Sequence, residues 1–101
     1  MSEPTASLLA SRDGPIARLQ FNRPAQLNAL DRATAQAFAH ACRELASDAS
    51  VRAVIIGGTG RAFMAGGDLA ELRADPTGAA IGLIGPMHEA IVLLAEMRAP
   101  V

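Results

Sequence analysis

The spacing of apolar residues changes along the chain, and each change predicts an element. Two short, mostly apolar segments, Ser7–Ser11 and Ile16–Phe21, flank Arg12–Pro15. This intervening segment reads Arg-Asp-Gly-Pro, a composition typical of tight turns. We therefore predict a β-hairpin over these segments.

A helix is predicted after the hairpin. Pro24 interrupts the segment 22–28, and since it lacks a backbone N–H it cannot continue a strand. Asp31 is suited to cap a helix over about Arg32–Ala46. Apolar residues recur in this helix at steps of three or four and predict one buried face: Ala35, Phe38, Cys42 and Leu45.

A strand and a short helix are predicted next. Val51–Ile56 is a β-branched run followed by glycines, which is typical of a strand buried on both faces, as in a parallel sheet. The short helix is expected over about Asp68–Arg73, and Asp75–Gly78 is expected to be a loop.

The position of Pro86 predicts where the last helix begins. The first helical residue needs no N–H partner, so we expect regular helix within 79–97 to start near Pro86. Its predicted buried face consists of Met87, Ala90, Ile91 and Leu94. The chain then reads Ala99-Pro100-Val101, which resembles the start of another strand. We expect residues 1–101 to be the first part of a longer fold.

Charge and composition narrow the functional classes. Half of the residues are hydrophobic and 19% are charged, which is ordinary for a folded protein. The net charge is −1, and all nine basic residues are scattered arginines, so nucleic-acid binding is not expected. Cys42 is the single cysteine, which excludes an intrachain disulfide and a zinc site built from cysteines.

The location is predicted from the same features. The opening segment 1–12 lacks a basic region followed by a long apolar stretch, so we expect no signal peptide. The longest uncharged run, Thr77–Met87, is far shorter than the roughly 20 residues of a membrane span, so no membrane partner is expected. We predict a cytoplasmic protein.

Gly66-Gly67-Asp68 is the stretch with the clearest chemical potential. Glycines between a strand and a helix allow unusual backbone angles and close approach of a ligand. If Asp68 caps the helix, it satisfies deeper amides and leaves the Gly67 N–H free to point outward. One free, well-aimed N–H in a dry site is half of an oxyanion hole.

Two other interpretations of this region are open. Such glycines are most often only a turn, and such an aspartate only a cap. A phosphate-binding turn at Gly57–Arg61 is less favoured, because the segment matches neither a P-loop nor G-x-G-x-x-G.

Three stretches together resemble the crotonase (enoyl-CoA hydratase/isomerase) superfamily. They are Phe21-Asn22-Arg23-Pro24 with Leu27-Asn28-Ala29-Leu30, then Val51–Gly57, then Gly60–Leu69. Their order and spacing match over essentially the whole chain. The resemblance implies an α/β fold, the crotonase-like ββα spiral. This chain would hold only its N-terminal part: β-hairpin, helix, buried strand, short helix and longer helix. The C-terminal part of this single domain would be absent.

The resemblance also implies an acyl-CoA thioester enzyme. The thioester carbonyl would lie between two backbone N–H groups that stabilise an enolate, and the first donor would be Gly67. Arg23 is a hypothesis for a phosphate contact, with a solvated loop charge as the alternative. The implied CoA-binding residues are Arg23, Leu27, Asn28, Ala29, Met64, Ala65, Gly66, Asp68 and Leu69. No separate cofactor and no metal are expected, since coenzyme A is part of the substrate.

The reaction subtype stays open, because the second donor and the acid/base carboxylates would follow Val101. Hydration, isomerisation, thioester hydrolysis, dehalogenation and decarboxylation all use such an enolate site. A truncated, non-catalytic CoA-binding or interaction remnant is the alternative. Glu71 is expected to be a solvated helix charge and His88 a surface residue. The resemblance implies a homotrimer or hexamer.

Overall fold

The computed structural model describes residues 6–101. Residues 1–5 lie outside the described residues. They belong to the segment 1–12, in which no signal peptide is expected. The elements in chain order are β1 (Leu8–Asp13), β2 (Ile16–Phe21), a 3₁₀ turn (Pro24–Gln26), α1 (Arg32–Ala46), β3 (Ala53–Gly58), α2 (Leu69–Ala74) and α3 (Pro76–Glu96).

The strands form one mixed sheet in the order β1-β2-β3. The predicted hairpin is confirmed: β1 and β2 are antiparallel, with Leu8 opposite Phe21. Strand β1 extends to Asp13, closer to the turn than predicted, and Gly14 closes the turn with a φ of 58°. Strand β3 is parallel to β2, with Ile16 opposite Ala53.

Strand β3 differs from its prediction in two respects. It starts at Ala53 rather than Val51, and the expectation of burial on both faces is wrong because Ile55 is 45% exposed. The described helices pack on the other face of the sheet, so Ile55 has no covering layer. The Val54 N–H donates to Pro100 O at 2.9 Å, which brings the end of the chain alongside β3.

Helix α1 lies between the sheet and α3. Its bounds are as predicted, and the Asp31 carboxylate accepts a hydrogen bond from the Thr34 N–H at 2.8 Å. The predicted apolar face is confirmed, and the ring of Phe38 contacts that of Phe21 at a centroid distance of 5.1 Å. The main buried core consists of Leu19, Phe21, Leu30, Ala35, Phe38, Ala39, Cys42, Leu83 and Ala90.

Helix α3 begins at Pro76, well before the predicted start near Pro86. Pro76 occupies the first turn, and the Asp75 side chain caps the helix by accepting from the Gly78 N–H at 3.1 Å. The predicted loop at Asp75–Gly78 is therefore wrong, since a capping aspartate and an early proline are start signals. Pro86 lies inside the helix, so it costs a hydrogen bond without ending the element.

The buried face of α3 also differs from the prediction. Ala79, Leu83 and Ala90 are buried, whereas Ile91, which was predicted to be buried, is 55% exposed. By length and composition alone, α3 could cross a membrane, but a single helix of this kind is weak evidence for a membrane span. Its buried residues Leu83 and Ala90 belong to the core that α1 also lines, whereas most of the helix is exposed.

Candidate functional site

The Gly66–Asp68 turn runs beside Leu30 as a short parallel bridge. The Leu30 N–H donates to Gly66 O at 2.7 Å, and the Asp68 N–H donates to Leu30 O at 2.9 Å. Because backbone groups alternate in direction along an extended segment, the Gly67 N–H points away from Leu30. Within residues 6–101 no acceptor receives this N–H.

Asp68 caps helix α2, as the sequence predicted. Its Oδ1 accepts from the Ala70 N–H at 2.9 Å and from the Glu71 N–H at 3.2 Å. The Glu71 amide foremost, and then the Arg23 guanidinium, lower the pKa of Asp68 below its ordinary value of 3.8. The ionised carboxylate therefore satisfies the amides behind Gly67 and does not compete for the Gly67 N–H.

An open cleft of about 530 Å³ lies beside the turn. Five implied site residues line it: Ala29, Ala65, Gly67, Asp68 and Leu69. The cleft is also lined by Gln26, Ala70 and Leu72, which the sequence reading missed. Leu72 follows Leu69 at helical spacing, a signal that could have found it. Nothing in the sequence marks Gln26.

The Asn28 side chain is internal, and a contact of this residue with coenzyme A stays a prediction. Asn28 is 2% exposed and adopts a left-handed conformation with a φ of 57°. Its Nδ2 donates to Thr59 O at 2.9 Å and to Ala62 O at 2.7 Å, while its Oδ1 accepts from the Arg23 N–H at 2.7 Å. Asn28 therefore joins two loops and has no free polar hydrogen for a ligand.

The Arg23 side chain is not a solvated charge, since it is only 20% exposed, and its contact with a phosphate stays a prediction. Its Nη2 pairs with Asp68 Oδ2 at 3.0 Å, and its Nε lies 3.6 Å from Asp31 Oδ2. Its Nη1 donates to Ala29 O at 2.5 Å. Both sequence interpretations of Arg23 thus missed its partners, of which Asp68 is distant in the chain.

The other implied binding residues lie beside the cleft and do not line it. Met64 packs against the core, and Leu27 O accepts from the Ala65 N–H at 3.1 Å. Gly66 has a φ of 119°, which a side chain rarely adopts, so glycine is needed for the turn. Contacts of Leu27, Met64 and Gly66 with coenzyme A stay predictions.

Three further residues carry a charged or reactive side chain: Glu71, His88 and Cys42. Glu71 is not a solvated charge, since its Oε1 accepts from the Arg32 N–H at 2.9 Å. His88 is exposed, as expected. Cys42 is buried in the core, and burial followed by the nearby charge of Glu89 raises its pKa to about 11. Cys42 therefore remains a protonated thiol and is not a nucleophile.

A metal site is not found in the part of the chain that the structure describes, where no three histidine, cysteine, aspartate or glutamate residues group together. The chemistry of the cleft rests on backbone amides and apolar walls. Fold and site together define an α/β protein with an open cleft and, beside a Gly-Gly-Asp turn, a backbone N–H that has no acceptor within residues 6–101.

Comparison with known proteins identifies the family. The enoyl-CoA hydratase/isomerase family model matches residues 16–99. A crystal structure of enoyl-CoA hydratase from Mycobacterium smegmatis is 37% identical, with a TM-score of 0.87 over 96% of this chain and 38% of that chain. The chain belongs to the enoyl-CoA hydratase/isomerase (crotonase) family and has the crotonase fold.

Two curated relatives agree with this assignment. A probable peroxisomal enoyl-CoA hydratase 1 of Arabidopsis thaliana is 35% identical over 87% of this chain and 32% of that protein. A short-chain-enoyl-CoA hydratase of Clostridium acetobutylicum is 33% identical over 78% of this chain and 31% of that protein. The chain therefore spans about a third of the length of these relatives.

Proposed function

We propose that this chain is the N-terminal portion of an acyl-CoA thioester enzyme of the enoyl-CoA hydratase/isomerase type. The observation that carries the proposal is the Gly67 N–H, which has no acceptor within residues 6–101 and borders an open cleft. Coenzyme A would enter as part of the substrate, so the chain would need no separate cofactor. The family to which the chain belongs supports this substrate class.

The proposed chemistry is stabilisation of a thioester enolate. The thioester oxygen would accept a hydrogen bond from the Gly67 N–H, and this bond would strengthen as negative charge moves onto the oxygen. A donor that binds the charged state more tightly than the neutral carbonyl lowers the barrier. We place the second donor and the acid/base carboxylates in sequence that would follow Val101.

The cleft supports this role through its walls. Ala29, Ala65 and Leu69 are apolar and lie around Gly67, so a bound oxygen would be partly shielded from water. A hydrogen bond is electrostatically stronger in such surroundings than in bulk water. The Asp68 carboxylate is held back by the amides of α2 and by Arg23, so it would not displace the substrate oxygen.

Substitution of Gly67 tests the proposal. In full-length protein, Gly67→Pro removes the N–H and is expected to lower turnover of crotonyl-CoA about 100- to 1,000-fold. Gly67→Ala is the matched control, since it keeps the N–H and places its Cβ at 3.3 Å and 3.5 Å from two flexible leucine ends. Equal turnover of wild type and Gly67→Pro would reject the donor role.

A second candidate is a non-catalytic CoA-binding or interaction module of 101 residues. It is favoured by the apolar residues that α3 leaves exposed, Ile81, Ile84 and Ile91. Intact mass spectrometry of the protein from its natural source separates the two candidates. A mass near 10.4 kDa with a single folded species supports the module, whereas a larger mass supports the enzyme.

Assembly and location belong to the same proposal. We infer a homotrimer or hexamer, a cytoplasmic location and no nucleic-acid or membrane partner. Other reactions on the same enolate, including isomerisation and thioester hydrolysis, remain possible outcomes of an activity screen. The residues after Val101 would decide among them, because they would supply the acid/base groups.

A further inference from the structure

Arg23 is the centre of a charged cluster that lies behind the Gly67 turn. Its guanidinium contacts three oxygens: Ala29 O and Asp31 Oδ2, which follow Arg23 closely in the chain, and Asp68 Oδ2 at the start of α2. The side chains of Arg23 and Asp31 are each 20% exposed, and that of Asp68 is 13% exposed. The cluster is thus largely shielded from solvent, where ion pairs are screened less than at the surface.

The two carboxylates use their oxygens in the same way. Asp31 Oδ1 accepts from the Thr34 N–H and so caps α1, while its Oδ2 faces Arg23. Asp68 Oδ1 accepts from the amides at the start of α2, while its Oδ2 pairs with Arg23. One planar guanidinium therefore holds two helix starts together, a geometry that a lysine ammonium reproduces poorly.

The same contacts reach both sides of the cleft. Ala29 and Asp68 line it, and each is held by a nitrogen of Arg23. Gly67 precedes Asp68 directly, and the neighbouring bridge to Leu30 orients its amide. Without Arg23, two carboxylates of like charge would face each other, and the turn that carries the Gly67 N–H would lose a fixed anchor.

We propose that Arg23 is a positioning residue that orients the Gly67 N–H by fixing Asp68 and Ala29. This inference rests on the proposed function for the part that concerns catalysis. It assigns Arg23 a role different from a phosphate contact, and loss of Arg23 would change a different kinetic constant in each case. A mispositioned donor lowers kcat, whereas a lost phosphate contact weakens binding and raises KM.

Kinetics of Arg23→Gln in full-length protein distinguish the two roles. The positioning role predicts that kcat on crotonyl-CoA falls about 10- to 100-fold while KM changes less than about threefold. Arg23→Lys is expected to recover only part of the loss. Arg12→Gln is the control, because it removes another arginine–aspartate pair, at 3.0 Å, far from the cleft. A raised KM with unchanged kcat would overturn the inference.

A second measurement is independent of turnover. In full-length protein, ¹H–¹⁵N spectra would follow the Gly67 N–H, and amide hydrogen exchange would follow the bonded amides beside it. Arg23→Gln is expected to shift the Gly67 resonance and to speed exchange of the bonded Leu30 and Asp68 amides by about tenfold or more, while amides of the β-hairpin keep wild-type values. An unchanged Gly67 amide overturns the positioning role even if wild type lacks activity, and absent wild-type activity alone counts against the proposed function.

Discussion

At the scale of single residues, two loops meet where Asn28 and Gly58 face each other. Asn28 binds the carbonyls of Thr59 and Ala62, which draws the loop after β3 back over the strand. A Cβ at Gly58 would lie 2.5 Å from Phe63 O and 2.9 Å from Asn28 Nδ2. Only glycine allows this close approach, because the nearest atoms include backbone that cannot rotate away.

Alanine substitution at the two adjacent glycines tests this packing. Gly58→Ala is expected to lower the free energy of unfolding by about 2 kcal/mol, because the loop backbone must shift. Gly57→Ala is the matched control, since an added Cβ there meets nothing within 4 Å, and its effect should stay within about 0.5 kcal/mol. Urea unfolding measures both, and equal effects would contradict the close approach.

The pH dependence of stability is a second prediction for single residues. The folded-state pKa of Asp68 is lowered below 3.8 by the Glu71 amide and then by Arg23. Its stabilising contribution is therefore fully present above pH 3.8 and is lost as the pH falls from there through the folded pKa. We expect Asp68→Asn to be less stable than wild type at pH 7, with a difference that shrinks below pH 3.8.

The measurement is urea unfolding followed at several pH values between about 2 and 7. Asp13→Asn, at an exposed position at the end of β1, serves as the control for loss of a carboxylate. A difference between wild type and Asp68→Asn that is the same at every pH would show that the Asp68 carboxylate is not stabilised in the folded state.

At the scale of elements, α3 is the helix whose start was predicted wrongly from the sequence. Pro76 and Pro86 both lie in it, but only Pro76 occupies a position where the missing N–H costs nothing. The α1–α3 contact is close, because a Cβ at Gly82 would lie 2.5 Å from Arg32 Cδ. Tertiary contact with α1 therefore maintains a helix through an unfavourable proline.

Replacement of the two prolines tests this account. Pro86→Ala restores a hydrogen-bond donor within the helix and is expected to raise the free energy of unfolding by about 1 to 3 kcal/mol. Pro76→Ala is the matched control and should change it by less than about 0.5 kcal/mol. Thermal and urea unfolding provide the comparison, and equal effects would contradict the different cost of the two positions.

At the scale of the whole molecule, one face of α3 is apolar and open. Ile81 is 69% exposed and Ile84 is 67% exposed, which is unusual for adjacent large aliphatic residues of a folded domain. Side chains of this kind are expected to promote association or to pack against further protein. The proposed homotrimer or hexamer is one arrangement that would cover them.

Sedimentation of this chain at several concentrations tests whether that face drives association. We expect the weight-average mass to rise above 10.4 kDa with concentration. The double variant Ile81→Glu/Ile84→Glu should remain monomeric, because burial of two charges disfavours contact between copies. Ala37→Glu, at an exposed position of α1, is the control for adding a charge elsewhere on the surface. Association that persists unchanged in the double variant would exclude this face as its cause.

Local sequence signals determined much of the architecture. The hairpin, the Asp31 cap of α1 and the Asp68 cap of α2 all follow from neighbours within a few residues of each other. Capping and turn chemistry depend on such neighbours, so they can be read without the fold. The motifs of the site likewise led to the family that the comparisons confirm.

Only the tertiary structure decided the rest. Arg23 pairs with Asp68, and Asn28 binds the carbonyls of Thr59 and Ala62, across elements that no local pattern connects. The same holds for the exposure of Ile55 and the early start of α3. Burial and ion pairing depend on which distant surfaces meet, and that information belongs to the folded chain as a whole.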